Sequence, residues 1–185
     1  DINPITRGKE DLAHFEQSGE AKQHSDKLAL PSGSAPLYCA LKEPGCVEQI
    51  MGLRNQWGPE VVEHRVLLER YETFVKFDNV VTPLNAFSIE HPFPDYSYLA
   101  RGNRIKLLSA LMAADQSGGD AGLSVLIEDL GHLRRQLASA DTLIHKMMFV
   151  VLVANDLDAL MYIYKHYPTR HAHVLEHLSA AELPL

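Results

Sequence analysis

From Leu99 onward the chain repeats one pattern, apolar residues at helical spacing for several turns and then a short break. Residues three and four apart share a helix face, so such a period commits a segment to an amphipathic helix. Leu99 to Asp115 is the first segment, with Leu99, Asn103, Lys106 and Leu107 leading to Ala110, Leu111 and Ala114. Ser117-Gly118-Gly119 breaks it, and Asp120 suits the N-cap of a helix from Ala121 to Leu137. Leu123, Leu126, Ile127, Leu130 and Leu133 mark the predicted inner face of that helix. Ser139 or Asp141 is the expected cap of a third helix ending near Asn155, and Asp156 to Tyr167 reads as a fourth. Pro168 stops it, and Thr169 can cap a last short helix through Leu178.

The first half is less regular. Lys9 to Glu16 can form a short helix within a polar N-terminal arm, residues 1–36, whose Ser25 to Pro36 part is rich in Ser, Gly and Pro. Helical spacing returns from about Val47 to Phe77, interrupted at Trp57-Gly58-Pro59, where a break is predicted. The inner face of the second part is expected to carry Val62, Leu67 (or Val66), Tyr71, Phe74 and Val75. Residues 78–98 read as a long connection, because Asn79, Pro83, Asn85, Pro92 and Pro94 exclude a regular helix. The expected fold is all-α. It is an irregular helical bundle with an extended N-terminal arm and a C-terminal half of helical hairpins of the tetratricopeptide type. No second copy recurs at a repeat period, so a solenoid is not expected. Residues 37–185 are taken as one helical domain.

A chain of 185 residues with 46% apolar and 22% charged side chains can bury a substantial core. Its formal net charge of −7 and the lack of a basic block speak against a nucleic-acid partner. The best apolar run, Met147 to Ala154, is far short of the roughly 20 residues that cross a bilayer. Asp1 rather than Met opens the chain, so a leader, an anchor or a longer natural N-terminus is expected before it.

Few residues carry chemistry. Cys39 and Cys46 are the only cysteines, and the Pro44-Gly45 turn between them can bring the two sulfurs together in a disulfide. Two free thiols in a reducing compartment are the competing reading. A zinc site lacks a second cysteine pair. His173-Val174-Leu175-Glu176-His177 matches the inverted zinc-protease motif H-x-x-E-H, with His171 nearby. That chemistry needs a further acidic ligand downstream, and the chain ends eight residues after His177. The segment therefore reads as a solvated helix end. Lys146 lies in an apolar helix and is expected to form a structural ion pair, with Asp129 or Asp141 as partner and Glu128 or Asp156 as alternatives. Arg101, Arg104, Arg134 and Arg135 could form a basic patch, although ion pairing with Glu128 and Asp129 is the simpler expectation. Phe87, Phe93, Tyr96 and Tyr98 make the long connection aromatic, either to staple it to the core or to anchor a partner. No phosphate-binding, dinucleotide-binding or nucleophile-elbow motif is present, and no cofactor is expected.

Cys46-Val47-Glu48, Leu68-Glu69-Arg70-Tyr71, Pro92-Phe93-Pro94-Asp95-Tyr96, Ile127 to Arg135 and Ala140 to Met147 follow in an order that resembles a group of uncharacterised proteobacterial proteins. These carry an N-terminal membrane anchor followed by a helical domain outside the cytoplasm. The resemblance covers roughly residues 37–165 and departs from the group at Leu133, where an aromatic residue is expected. It implies an anchor before Asp1, a Cys39–Cys46 disulfide and a periplasmic location, and it implies no activity. The functional expectation is a non-enzymatic, periplasm-facing module that binds another protein, an accessory or immunity-type protein being one form, with a membrane contact only through the missing anchor. The alternatives are a zinc-dependent hydrolase built on His173, Glu176 and His177, and a binder of a small apolar ligand between the helices.

Overall fold

A computed structural model describes residues 30–31, 36–39, 43, 45–77 and 95–167. The chain divides into two compact units, and every helix described below belongs to the second, Ser32–Thr82 with Asp95–Leu185. That unit is all-α. Among the described residues there are six α-helices and no strand. They are α1 (Cys46–Gly52), α2 (Arg54–Glu63), α3 (Arg65–Val75), α4 (Ser97–Ser117), α5 (Gly119–Ser139) and α6 (Leu143–His166), preceded by a 3₁₀ turn, Pro36–Tyr38. Residues 1–29 and 32–35 of the N-terminal arm, with Phe87, Phe93, His171, His173, Glu176 and His177, lie outside the described residues.

The hairpins α4–α5 and α5–α6 form the body, with α2 and α3 laid against α4. The break between α4 and α5 falls at Gly118, whose φ of 93° favours glycine. At Gly122 the backbones come close. A β-carbon there would lie 2.6 Å from the Ala110 carbonyl oxygen and 2.7 Å from the Ala114 β-carbon. Leu123, Leu126, Leu130 and Leu133 are buried as expected, and Ile127 is half-buried. Gly102 does the same for α3, since a β-carbon would meet that of Tyr71 at 2.6 Å.

The structure corrects several sequence expectations. Trp57, Gly58 and Pro59 lie inside α2, and the breaks fall at Leu53 and His64 instead. Pro59 deprives the Asn55 carbonyl of a helical donor, but Asn55 is exposed and water can serve it. Trp57, only 1% exposed, donates its indole N–H to the Ile50 carbonyl at 3.0 Å and holds this segment against the core. On α3 the buried face is Leu67, Tyr71 and Val75, while Val66 on the same helix and Val62 on α2 are exposed. Asp120 sits in the first turn of α5 without acting as its cap. Thr142, rather than Ser139 or Asp141, caps α6 by accepting from the His145 N–H at 3.2 Å.

The largest departure is at Asn155 and Asp156, where a break is predicted and none occurs. α6 runs through as 24 residues. Neither residue uses its side chain as a cap. Both point into a polar cluster formed with α4, and no glycine or proline interrupts the segment. The uninterrupted helix is long and apolar enough to cross a membrane by length and composition, with a mean hydropathy of 1.5 and 33% of that window buried. The expectation that no stretch reaches that length is therefore overturned. A helix packed in a soluble core meets the same criterion, and α6 packs along both α5 and α4.

Candidate functional site

α6 carries two apolar seams, one buried against the bundle and one exposed. The inner seam is His145, Phe149, Leu152, Asp156, Ala159 and Ile163, all buried. The outer seam is Leu143, Met147, Val150, Ala154, Leu157, Met161 and Tyr164, all exposed. Its spacing alternates strictly between four and three residues over the length of the helix, the a/d repeat of helices that pack side by side. Ile144 and Val151 widen it. Leu143 is 73% exposed, Met147 61% and Met161 62%. Large apolar side chains held in water along one line are unusual for a monomer and mark contact surfaces.

Beneath the inner seam lies a buried polar cluster. The Tyr71 hydroxyl donates to Asp129 Oδ2 at 2.7 Å. Asn103 Nδ2 donates to Asp156 Oδ1 at 2.8 Å and to the Tyr71 oxygen at 3.2 Å, and Asn155 donates to Asn103 Oδ1 at 3.3 Å. Asn103 and Asp156 are 0% exposed and Asp129 2%. Two carboxylates at such depth cannot both ionise cheaply. Burial first, and then the neighbouring Asp129 charge, push Asp156 up to about 9. Asp129 is also raised by burial, but hydrogen bonds from Tyr71 and Asp156 and the charge of Lys106 counteract this. Asp156 therefore keeps its proton and donates it toward an ionised Asp129. This also accounts for Asp156 Oδ2, which otherwise lacks a partner. Burial raises the Tyr71 hydroxyl as well, so it stays a donor. The cluster is closed to solvent, so it joins α3, α4, α5 and α6 rather than meeting a substrate.

Lys146 is exposed and forms no ion pair among the described residues, contrary to expectation. Asp129 is taken by Tyr71, and Asp141 faces the His145 ring at 3.3 Å. Among the described residues the cations that pair across helices are Lys106, 2.5 Å from Glu72, and Arg54, 3.1 Å from Asp115. Burial withdraws Arg104 from any surface patch of the four arginines. Arg104 is buried and donates to the Leu37 and Cys39 carbonyls at 3.4 and 2.8 Å, burial lowering it to about 10. Arg101 lies over the Tyr38 ring, and Arg135 contacts His132. Cys39 and Cys46 stand at disulfide distance, with sulfurs 2.05 Å and Cα atoms 5.7 Å apart. Arg104 pins this loop to α4. Tyr96 sets its ring edge-on to His145 at 5.6 Å, and Tyr98 is half-buried at the start of α4.

Two other features have chemical potential. Glu60, Glu63 and His64 offer three ligand atoms within 4.8 Å of one another, but Glu60 Oε1 already accepts from the Tyr38 hydroxyl at 2.7 Å. The cavity lined by Val47, Ile50, Arg104, Leu107 and Tyr162 is about 10 Å³, room for one water at most. It lends no support to a small apolar ligand. No protein-family model matches the chain, and no curated protein or solved structure matches it significantly.

Sequence reasoning missed the outer seam because it split α6 in two. The signal was available in the unbroken four-and-three spacing from Leu143 to Tyr164.

Proposed function

We propose that this chain is a non-enzymatic helical module that binds another protein. The observation that carries this reading is the outer seam of α6 from Leu143 to Met161, a straight apolar face fitted to receive a helix and exposed along its length. The resemblance to membrane-anchored proteobacterial proteins suggests a periplasmic setting and a tether to the inner membrane. A cysteine pair at disulfide distance is in keeping with an oxidising compartment. Within that setting, an accessory or immunity-type protein that masks a partner is a concrete form of the role. Tyr96 and Tyr98 would supply aromatic contacts beside the start of α4.

A photoreactive residue at Val150 in the full chain, activated in cells and followed by mass analysis of envelope proteins, tests the reading. A discrete protein adduct is expected, absent when the same residue replaces Ser124 on the exposed side of α5. If Val150 gives no adduct above the Ser124 background, the module does not bind protein through this face.

A further inference from the structure

The a/d repeat of the outer seam narrows what can cover it. A lipid surface asks only for an apolar side, whereas alternation by four and three places each side chain where a facing helix offers a hole. We propose that the occupant is the same seam of a second copy, so that two α6 helices pair about a two-fold axis. The proposal rests on the protein-binding reading of this face and names its partner.

Three observations support a second copy. The seam is itself the a/d surface that such a partner must present, and a two-fold contact joins one patch to itself. The occupied opposite side of α6 limits the pairing to a single further helix, as a dimer requires. Seven large apolar side chains between Leu143 and Met161 expose between 44% and 73% of their surface. With about 150–200 Å² per side chain, they offer on the order of 700 Å² per copy, close to the roughly 800 Å² that each partner gives to a standard stable interface. Charge does not oppose the pairing. The exposed charged residues of α6 are Lys146, Asp158 and Lys165, so the acidic excess of the chain lies elsewhere.

Sedimentation of the full chain across micromolar concentrations decides the matter. The expected result is a reversible passage from the 20.7 kDa chain to twice that mass. Met147→Glu with Met161→Glu should weaken the association at least about tenfold, because each substitution enters the contact twice. Val150→Lys should do the same independently. A dimer indifferent to all three substitutions overturns the proposal, and so does a monomer at every concentration. In a monomer, oxidation of Met147 and Met161 separates the two readings. Ready oxidation leaves the face open to a different protein partner. Protection means that the chain covers its own seam, and the binding reading falls as well.

Discussion

Asp156→Asn should make the protein more stable at neutral pH, although it alters the most buried acid in the core. The asparagine keeps the shape. Its carbonyl can accept from Asn103 and its amide can donate toward Asp129, as the protonated acid does. The gain comes from the proton. Asp156 is held up to about 9 in the folded chain and returns to an ordinary carboxylic acid on unfolding, so the folded state retains a proton that the unfolded state releases. For a carboxyl raised in this way, stability is greatest below the unfolded value, declines as pH rises and levels off above the folded value. The decline approaches about 1.4 kcal/mol per pH unit between those limits. Between pH 5.5 and 7.5 the wild-type chain should therefore lose about 3 kcal/mol relative to the Asn variant. The groups around Asp156 are Tyr71 on α3, Asn103 and Lys106 on α4, Asp129 on α5 and Asn155 on α6 itself, and all are retained in the variant. Urea unfolding followed by fluorescence of the single tryptophan, Trp57, reads the difference directly. Equal pH slopes for the two proteins would mean that Asp156 is ionised in the fold, and the shared-proton account would be wrong.

Gly122→Ala should cost about 3 kcal/mol, at the upper end for an overpacked core, because the added carbon meets the Ala110 carbonyl and cannot be avoided by turning a side chain; thermal unfolding checks it. Cys39→Ser should cost about 2 kcal/mol, modest because the loop closed between Cys39 and Cys46 is short. Intact mass of protein prepared from the periplasm should show a two-hydrogen deficit and no alkylation, whereas two alkylated thiols would remove the support for an oxidising compartment.

Much of the bundle is legible in the chain because local signals and tertiary packing agree there. Leu123, Leu126, Leu130 and Leu133 fall on one face, and Gly118 stands where the chain must turn. The signals mislead where a side chain is satisfied by something distant. Pro59 reads as a break, but burial of Trp57 carries the helix through it. Asn155 and Asp156 read as a break between two helices, but Asn103, about 50 positions earlier, engages both. The acid pair itself unites residues far apart in the chain, and only the three-dimensional packing assembles it. A trace of it exists in the sequence, since Asn103, Asp129 and Asp156 each fall on the otherwise apolar side of their helices.

The claim on which the functional account depends is that the outer seam of α6 is no part of this chain's own core. Its most direct test is the unfolding free energy of the Met147→Glu, Met161→Glu variant, measured at a concentration low enough to exclude association. Two charges placed on an open surface should leave it within about 1 kcal/mol of wild type. A loss of several kcal/mol would mean that the seam is buried by the chain itself, and that no partner is needed to explain it.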